Sequence, residues 1–208
     1  MRFEGYDLRN VPTSTGRADV IMRVMKSALF NPNGYNSNIA FILFPNSTFL
    51  SELSRYLNHP PLNFNGFMIS TNSPFFTRIS CKNASEHSLL KAFYSSCKNV
   101  DSTTQKNTLF DRLVDLNIYE CTAFLANNDV DSYLLVEGGT LIKEFNLGIP
   151  KVPKKMCFIL GDQKGFSHLE LEQFSPKIKR ISLGTTSYLS STTITLVKWI
   201  LWKNQIIS

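Results

Sequence analysis

Three glycine-bearing segments in the last third of the chain carry the clearest chemical signal. Tyr133–Val136 is an apolar run ending in Glu137-Gly138-Gly139. Met156–Leu160 is another, ending in Gly161-Asp162-Gln163-Lys164-Gly165, and Lys179–Leu183 is a third, ending in Gly184. Each run reads as a strand followed by a loop. Ligands of open α/β sheets bind outside the carboxyl ends of strands, and glycine there lets backbone approach the ligand closely. After Gly184 comes Thr185-Thr186-Ser187-Tyr188-Leu189-Ser190-Ser191-Thr192-Thr193, mostly small or hydroxylated, and then a long apolar segment.

Other chemistries lack their residues. No GxGxxG follows the first predicted strand, and no GxxxxGK[ST] or GxSxG occurs. Cys81, Cys97, Cys121 and Cys157 stand far apart, with no CxxC pair and no neighbouring His. His59, His87 and His168 have no metal-ligand spacing, so no structural metal is expected and the thiols are expected to be free. The formal charge of +6 favours a polyanionic partner, although the basic residues are dispersed rather than run together. No apolar run reaches the length of about 18 residues that suggests a membrane span. Lys198 and Lys203 interrupt the most apolar stretch. A cytoplasmic protein without a membrane partner is expected.

The elements that must position these loops follow from periodicity. With 208 residues and 43% hydrophobic content, one domain spanning residues 1–208 is expected. Arg17 to Phe30 reads as an amphipathic helix with Val20, Val24 and Ala28 on one face. Thr13 to Thr15 offer N-cap hydroxyls, and Asn31-Pro32-Asn33-Gly34 stops the helix. Ile39–Phe44 is a continuous apolar run, the pattern of a strand buried on both faces. Gly66–Ser70 and Phe75–Ser80 read as strands. Asn83-Ala84-Ser85-Glu86 resembles a capping box ahead of a helix at Glu86–Ser96, and a further helix is expected around Asn107–Leu116. Tyr188–Lys203 is divided: its β-branched residues lean to strand, its length and apolar spacing to helix, and we assign helix. The expected fold is α/β, a mostly parallel central sheet with helices on both faces.

Four segments, VPTSTGRADVIMRVMKSALF, LLVEGG, CFILGDQKGF and ISLGTTSYLSSTTIT, resemble in type and order the motifs of archaeal-type tRNA pseudouridine N1-methyltransferases. These enzymes belong to the SPOUT class, knotted proteins that use S-adenosylmethionine. The resemblance runs from about Leu8 to the end, more loosely through the middle. It implies a C-terminal trefoil knot, in about 133–203, whose loops hold the cofactor through backbone amides and carbonyls. It places the cofactor against Leu135, Gly161, Ile181, Leu183, Tyr188 and Leu189, with Thr193 beside it.

Arg17 and Asp19 match an Arg-x-Asp that the family carries at the same helix start, beside the transferred methyl. Taken alone, Asp19 would complement the helix dipole and Arg17 would be surface charge. Through the resemblance, Asp19 becomes the acceptor of the N1 proton of pseudouridine and Arg17 a positioning group. Arg23, Lys26, Lys164, Lys179 and Arg180 are candidate phosphate contacts, and Tyr35 and Phe166 could stack on an unpaired base. The implied substrate is the tRNA T-loop pseudouridine, and the implied assembly a homodimer that covers Trp199 and Trp202.

Several positions depart from the family pattern. Only about ten residues precede Val11, where the family has a strand, and a basic turn after the first helix is replaced by Asn33-Gly34-Tyr35-Asn36. Thr192-Thr193 stands where the family has His-Cys, and Trp199-Ile200-Leu201-Trp202 replaces its Asn-Glu-Leu-Asp ending. These changes leave two alternatives open: a knotted RNA-binding protein with lost or reduced turnover, and an enzyme acting on pseudouridine in ribosomal RNA.

Overall fold

The structure is a computed structural model. It describes residues 2–3, 6–7, 18–31, 34–35, 39–47, 49–51, 54, 65–69, 85–97, 112–114, 116–142, 155–162 and 164–206. The chain divides into two compact units, Met1–Asn117 and Ile118–Ser208.

The first unit opens with a short antiparallel ribbon, β1 (Arg2–Phe3) with β2 (Tyr6–Asp7). Helix α1 (Ala18–Leu29) follows. Its buried stripe is Ala18, Met22, Met25 and Leu29 with Ala28 alongside. That i, i+4, i+7, i+11 spacing is the helical repeat. Val20 and Val24, expected on the buried face, are only half-buried, because the long methionine side chains occupy the centre of the stripe. The helix runs into an antiparallel ribbon of β3 (Phe30–Asn31) and β4 (Gly34–Tyr35).

Strands β5 (Phe41–Leu43), β6 (Gly66–Ile69) and β7 (Arg112–Val114) form an antiparallel sheet in that order. This corrects the helix expected around Asn107–Leu116: Arg112–Val114 pairs with Gly66–Met68, and tertiary pairing overrides local propensity. The continuous apolar run at β5 is likewise not buried throughout. Phe41 is buried while Ile42 and Leu43 are half-exposed, and among the described residues β5 is an edge. Gly66 is required by close packing, since a Cβ there would lie 2.8 Å from the Leu43 carbonyl oxygen.

Helix α2 (Glu86–Cys97) packs against α1 and buries Leu89, Leu90 and Phe93. Phe93 lies 5.3 Å from the Phe67 ring and 6.2 Å from Phe49, a tilted aromatic cluster that ties helix to sheet. Its cap is Ser85, whose hydroxyl accepts from the Ser88 backbone N–H at 3.1 Å. Asn83, Thr13 to Thr15 and Phe75–Ser80 lie outside the described residues.

The second unit contains α3 (Ile118–Asn127), β8 (Asp131–Leu141), β9 (Met156–Ile159), α4 (His168–Gln173), β10 (Lys179–Ser182) and α5 (Ser190–Lys203). Its sheet is parallel with order β10-β8-β9, and β8 is central. Consecutive β8 residues point to opposite faces, and both faces are covered. On one, Leu134 and Ile159 meet Phe174 and Ile178, with Ile118, Tyr119 and Leu171 of α3 and α4 against them. On the other, Tyr133, Ile142 and Ile181 meet Phe158 and Ile200 of α5. The α/β class is therefore as expected. The parallel part is the sheet of this unit, and the antiparallel β5-β6-β7 was not foreseen.

Candidate functional site

Strand β8 does not end at Val136. Lys179 and Arg180 of β10 pair with Tyr133 and Leu134, and the next two residues, Ile181 and Ser182, pair with Thr140 and Leu141. The intervening Leu135–Gly139 therefore leaves β10 and returns to it. The Glu137-Gly138-Gly139 segment, expected as a strand-ending loop, is an excursion inside a longer strand. Two effects explain the return. Gly139 has no side chain, and a Cβ there would lie 2.5 Å from the Ile181 carbonyl carbon, so only glycine lets the backbones close up. Pairing then resumes, and the Ile142 N–H donates to the Ser182 carbonyl at 2.8 Å.

Beyond β10 the chain turns at Gly184, whose φ of +129° is open to glycine and strained for other residues. Ser182, buried, holds that turn twice: its hydroxyl accepts from the Gly184 N–H at 3.1 Å and donates to the Gly184 carbonyl at 2.9 Å. Beyond β9, Gly161 sits against Gly165, where a Cβ on Gly161 would come within 2.9 Å of the Gly165 backbone. Asp162 shapes this turn by accepting from the Lys164 N–H at 2.8 Å and the Gly165 N–H at 3.1 Å. The start of α5 reaches the Gly161 turn through Ser190, whose hydroxyl lies 3.4 Å from the Gly161 carbonyl oxygen. Gly161 and Gly184 thus follow the carboxyl ends of the outer strands β9 and β10, while Gly139 packs on Ile181 of β10.

The residues expected around a cofactor lie along these segments. Leu135, Gly161 and Leu183 are half-buried, and Ile181 is buried beneath Gly139. Tyr188 and Leu189 are exposed in the loop before α5, and Thr193 is buried in its first turn, its N–H on the Leu189 carbonyl at 2.9 Å. Sequence reading missed Ser182 and Ser190. Their only signal was a hydroxyl two residues before a glycine and a hydroxyl at a helix start, both frequent patterns. Burial pushes the Cys157 thiol up to about 11, with Cys121 adding to the effect, so Cys157 lacks the setting of a nucleophile. Among the described residues, no cluster of His, Cys, Asp and Glu could hold a metal ion, and no helix is long and apolar enough to cross a membrane.

In the first unit, Asp19 is buried in the opening turn of α1. The Arg23 guanidinium lies one turn on, with Nη2 3.8 Å from Asp19 Oδ2. Its Nε donates to Glu86 Oε1 at 3.2 Å and Nη2 lies 3.5 Å from Oε2. Hydrogen bonding and charge from Glu86 raise the affinity of Arg23 for its proton further. Arg23, expected on a phosphate, therefore faces two carboxylates. Lys26 and Lys164 are exposed. Lys179 stands 5.8 Å over the Tyr133 ring and Arg180 donates to the Leu171 carbonyl at 3.0 Å. Phe166 packs edge-on against Phe174, 5.1 Å between centroids, in the core rather than as a stacking platform. Arg17 and the side chain of Tyr35 lie outside the described residues.

No family model matches the chain. A tRNA (pseudouridine(54)-N(1))-methyltransferase of Thermococcus kodakarensis is 24% identical over 194 residues, covering 92% of this chain and 88% of that protein. The crystal structure of Archaeoglobus fulgidus Nep1 bound to S-adenosylhomocysteine superposes with a TM-score of 0.52 at 17% identity, over 96% of this chain and 81% of that one. The chain has the fold of Nep1, and along nearly its whole length it is similar to an archaeal tRNA pseudouridine N1-methyltransferase, the family whose motifs its sequence resembles in order.

Proposed function

We propose that this protein is an S-adenosylmethionine-dependent methyltransferase acting on N1 of a pseudouridine in RNA, with the T-loop of cytoplasmic tRNA as its substrate. The observation that carries the reading is one parallel sheet on which Gly161 and Gly184 follow the ends of β9 and β10, Gly139 packs on Ile181, and Ser190 at the start of α5 reaches the Gly161 carbonyl. Similarity to the Thermococcus enzyme over 92% of the chain supports the same reading.

The residues present suit the cofactor. A Cβ on Gly138 or Gly184 would meet nothing within 4 Å, so the backbone at both positions is open to approach. Main-chain groups of Leu135, Gly161, Ile181, Leu183, Tyr188 and Leu189 would hold S-adenosylmethionine, with the Thr193 hydroxyl where the family has a thiol. When bound, the cofactor supplies a sulfonium methyl: the N1–carbon bond forms as the carbon–sulfur bond breaks, and its electron pair remains on sulfur. Asp19 accepts the N1 proton, and Arg17 steadies the base or its phosphate. Lys26 and Lys164 contact RNA phosphates. The closing segment passes through the β8 excursion as a trefoil knot within about 133–203, and the whole chain acts as one methyltransferase domain. A homodimer covers Trp199 and Trp202, which are exposed on α5.

The test incubates the purified protein with S-adenosylmethionine and tRNA bearing pseudouridine in the T-loop, followed by nucleoside mass spectrometry. N1-methylpseudouridine in the T-loop fragment is the expected product. Tight binding of S-adenosylhomocysteine by calorimetry with no methylated nucleoside from any RNA would instead leave an RNA-binding protein that no longer turns over.

A further inference from the structure

The buried carboxylate of Asp19 is held by a relay that begins on another helix. The Asp19 side chain is 6% exposed, and an ionised carboxylate so placed is costly unless a cation stays beside it. One cation beside it is Arg23, but at 3.8 Å that contact alone is loose, and the guanidinium is 44% exposed on a long side chain with many rotamers. What fixes it is Glu86. Two nitrogens of Arg23, Nε and Nη2, meet the two oxygens of Glu86, and Nη2 lies between that carboxylate and Asp19. Glu86 in turn is the first residue of α2, set in place by the Ser85 cap and by the packing of α2 on α1.

We propose that Glu86 is a positioning residue for methyl transfer, acting through Arg23 to hold the Asp19 carboxylate in the orientation that receives the N1 proton. This rests on the proton role given to Asp19 above. It also assigns Arg23 to the carboxylates rather than to RNA phosphate. Lysine could not replace Arg23, because an ammonium lacks the planar fork that grips Glu86 and still faces Asp19.

The two roles for Arg23 give opposite outcomes on Glu86→Ala. If Arg23 orients Asp19, the variant lowers kcat about tenfold while KM for tRNA changes by less than about twofold. Calorimetric affinity for S-adenosylhomocysteine and the salt dependence of tRNA binding, read by filter binding without turnover, stay at wild-type values. Glu86→Gln, which keeps a planar acceptor for Nε, recovers kcat to within about threefold of wild type. If Arg23 grips phosphate, removing its competing carboxylate tightens tRNA binding and steepens the salt slope, and that result overturns the proposal. Wild-type kcat in Glu86→Ala alongside an inactive Asp19→Asn also overturns it, and leaves Asp19 in place. Normal turnover in Asp19→Asn removes the proton role itself, and this proposal with it.

Discussion

At the scale of single residues, the strongest constraints fall on atoms that are missing. Gly139 and Gly184 have opposite reasons to be glycine. At Gly139 a side chain would strike the Ile181 backbone at 2.5 Å, whereas at Gly184 there is room but φ is +129°. Gly139→Ala should therefore cost about 3 kcal/mol or more in urea unfolding, because backbone and not a flexible side chain must yield. Gly184→Ala should cost about 1–2 kcal/mol and weaken S-adenosylhomocysteine binding by calorimetry. Asp19→Asn should lower methyl transfer about a hundredfold or more in single-turnover assays, with cofactor affinity retained. Cys157 gives a pH signature. Its thiol is raised from 9.0 to about 11, so the folded state keeps the proton longer than the unfolded one. Its contribution is full below pH 9 and is lost as pH rises from 9 to about 11. Cys157→Ala should flatten the fall in stability over that window in urea titrations. The glycines were legible in the sequence as turn-formers, but which constraint each obeys was not, because that depends on a partner strand many residues away. Glu86 was legible only as a helix start, since its link to Arg23 spans 63 positions.

At the scale of elements, legibility followed burial symmetry. Strands β9 and β10 and helix α1 lie within a residue or two of their expected bounds, because each pattern reports on its own covering layer. Helix α5 is the instructive case. Thr192, Thr193, Ile194, Thr195 and Val197 disfavour helix by a few tenths of a kcal/mol each. Burying Thr193, Val197 and Leu201 on one face, and bonding Thr195 Oγ1 to the Ser191 carbonyl at 3.0 Å, outweighs that. Leu201→Ala should cost about 2–4 kcal/mol by thermal or urea unfolding if this face is what holds the helix. β7 was misread because three residues of strand carry no period long enough to outvote their surroundings, and their partner β6 lies far back in the chain.

At the scale of the whole molecule, the net charge of +6 and the exposed tryptophans suit different partners. Dispersed Lys and Arg favour a weak, salt-sensitive hold on RNA rather than a single dense patch. Trp199 and Trp202 are 52% and 62% exposed at the end of α5, and the Lys203 ammonium lies 5.1 Å from the Trp199 ring centroid. In the dimer proposed above they are covered, and Trp199→Glu with Trp202→Glu should shift the protein to monomer in sedimentation velocity at micromolar concentration.

The split pairing of β10 has a consequence for how the chain matures. Its four residues bridge two separate stretches of β8, before and after the excursion, so neither stretch has its β10 partner until the chain has been synthesised through residue 182, although the first already has β9 beside it. Contacts that close over such sequence distances form slowly. During translation, both stretches of β8 must wait for the segment that carries β10 before their pairing is complete. Nascent chains arrested before that point should be protease-sensitive throughout the second unit, and acquire resistance together once its closing helix has emerged.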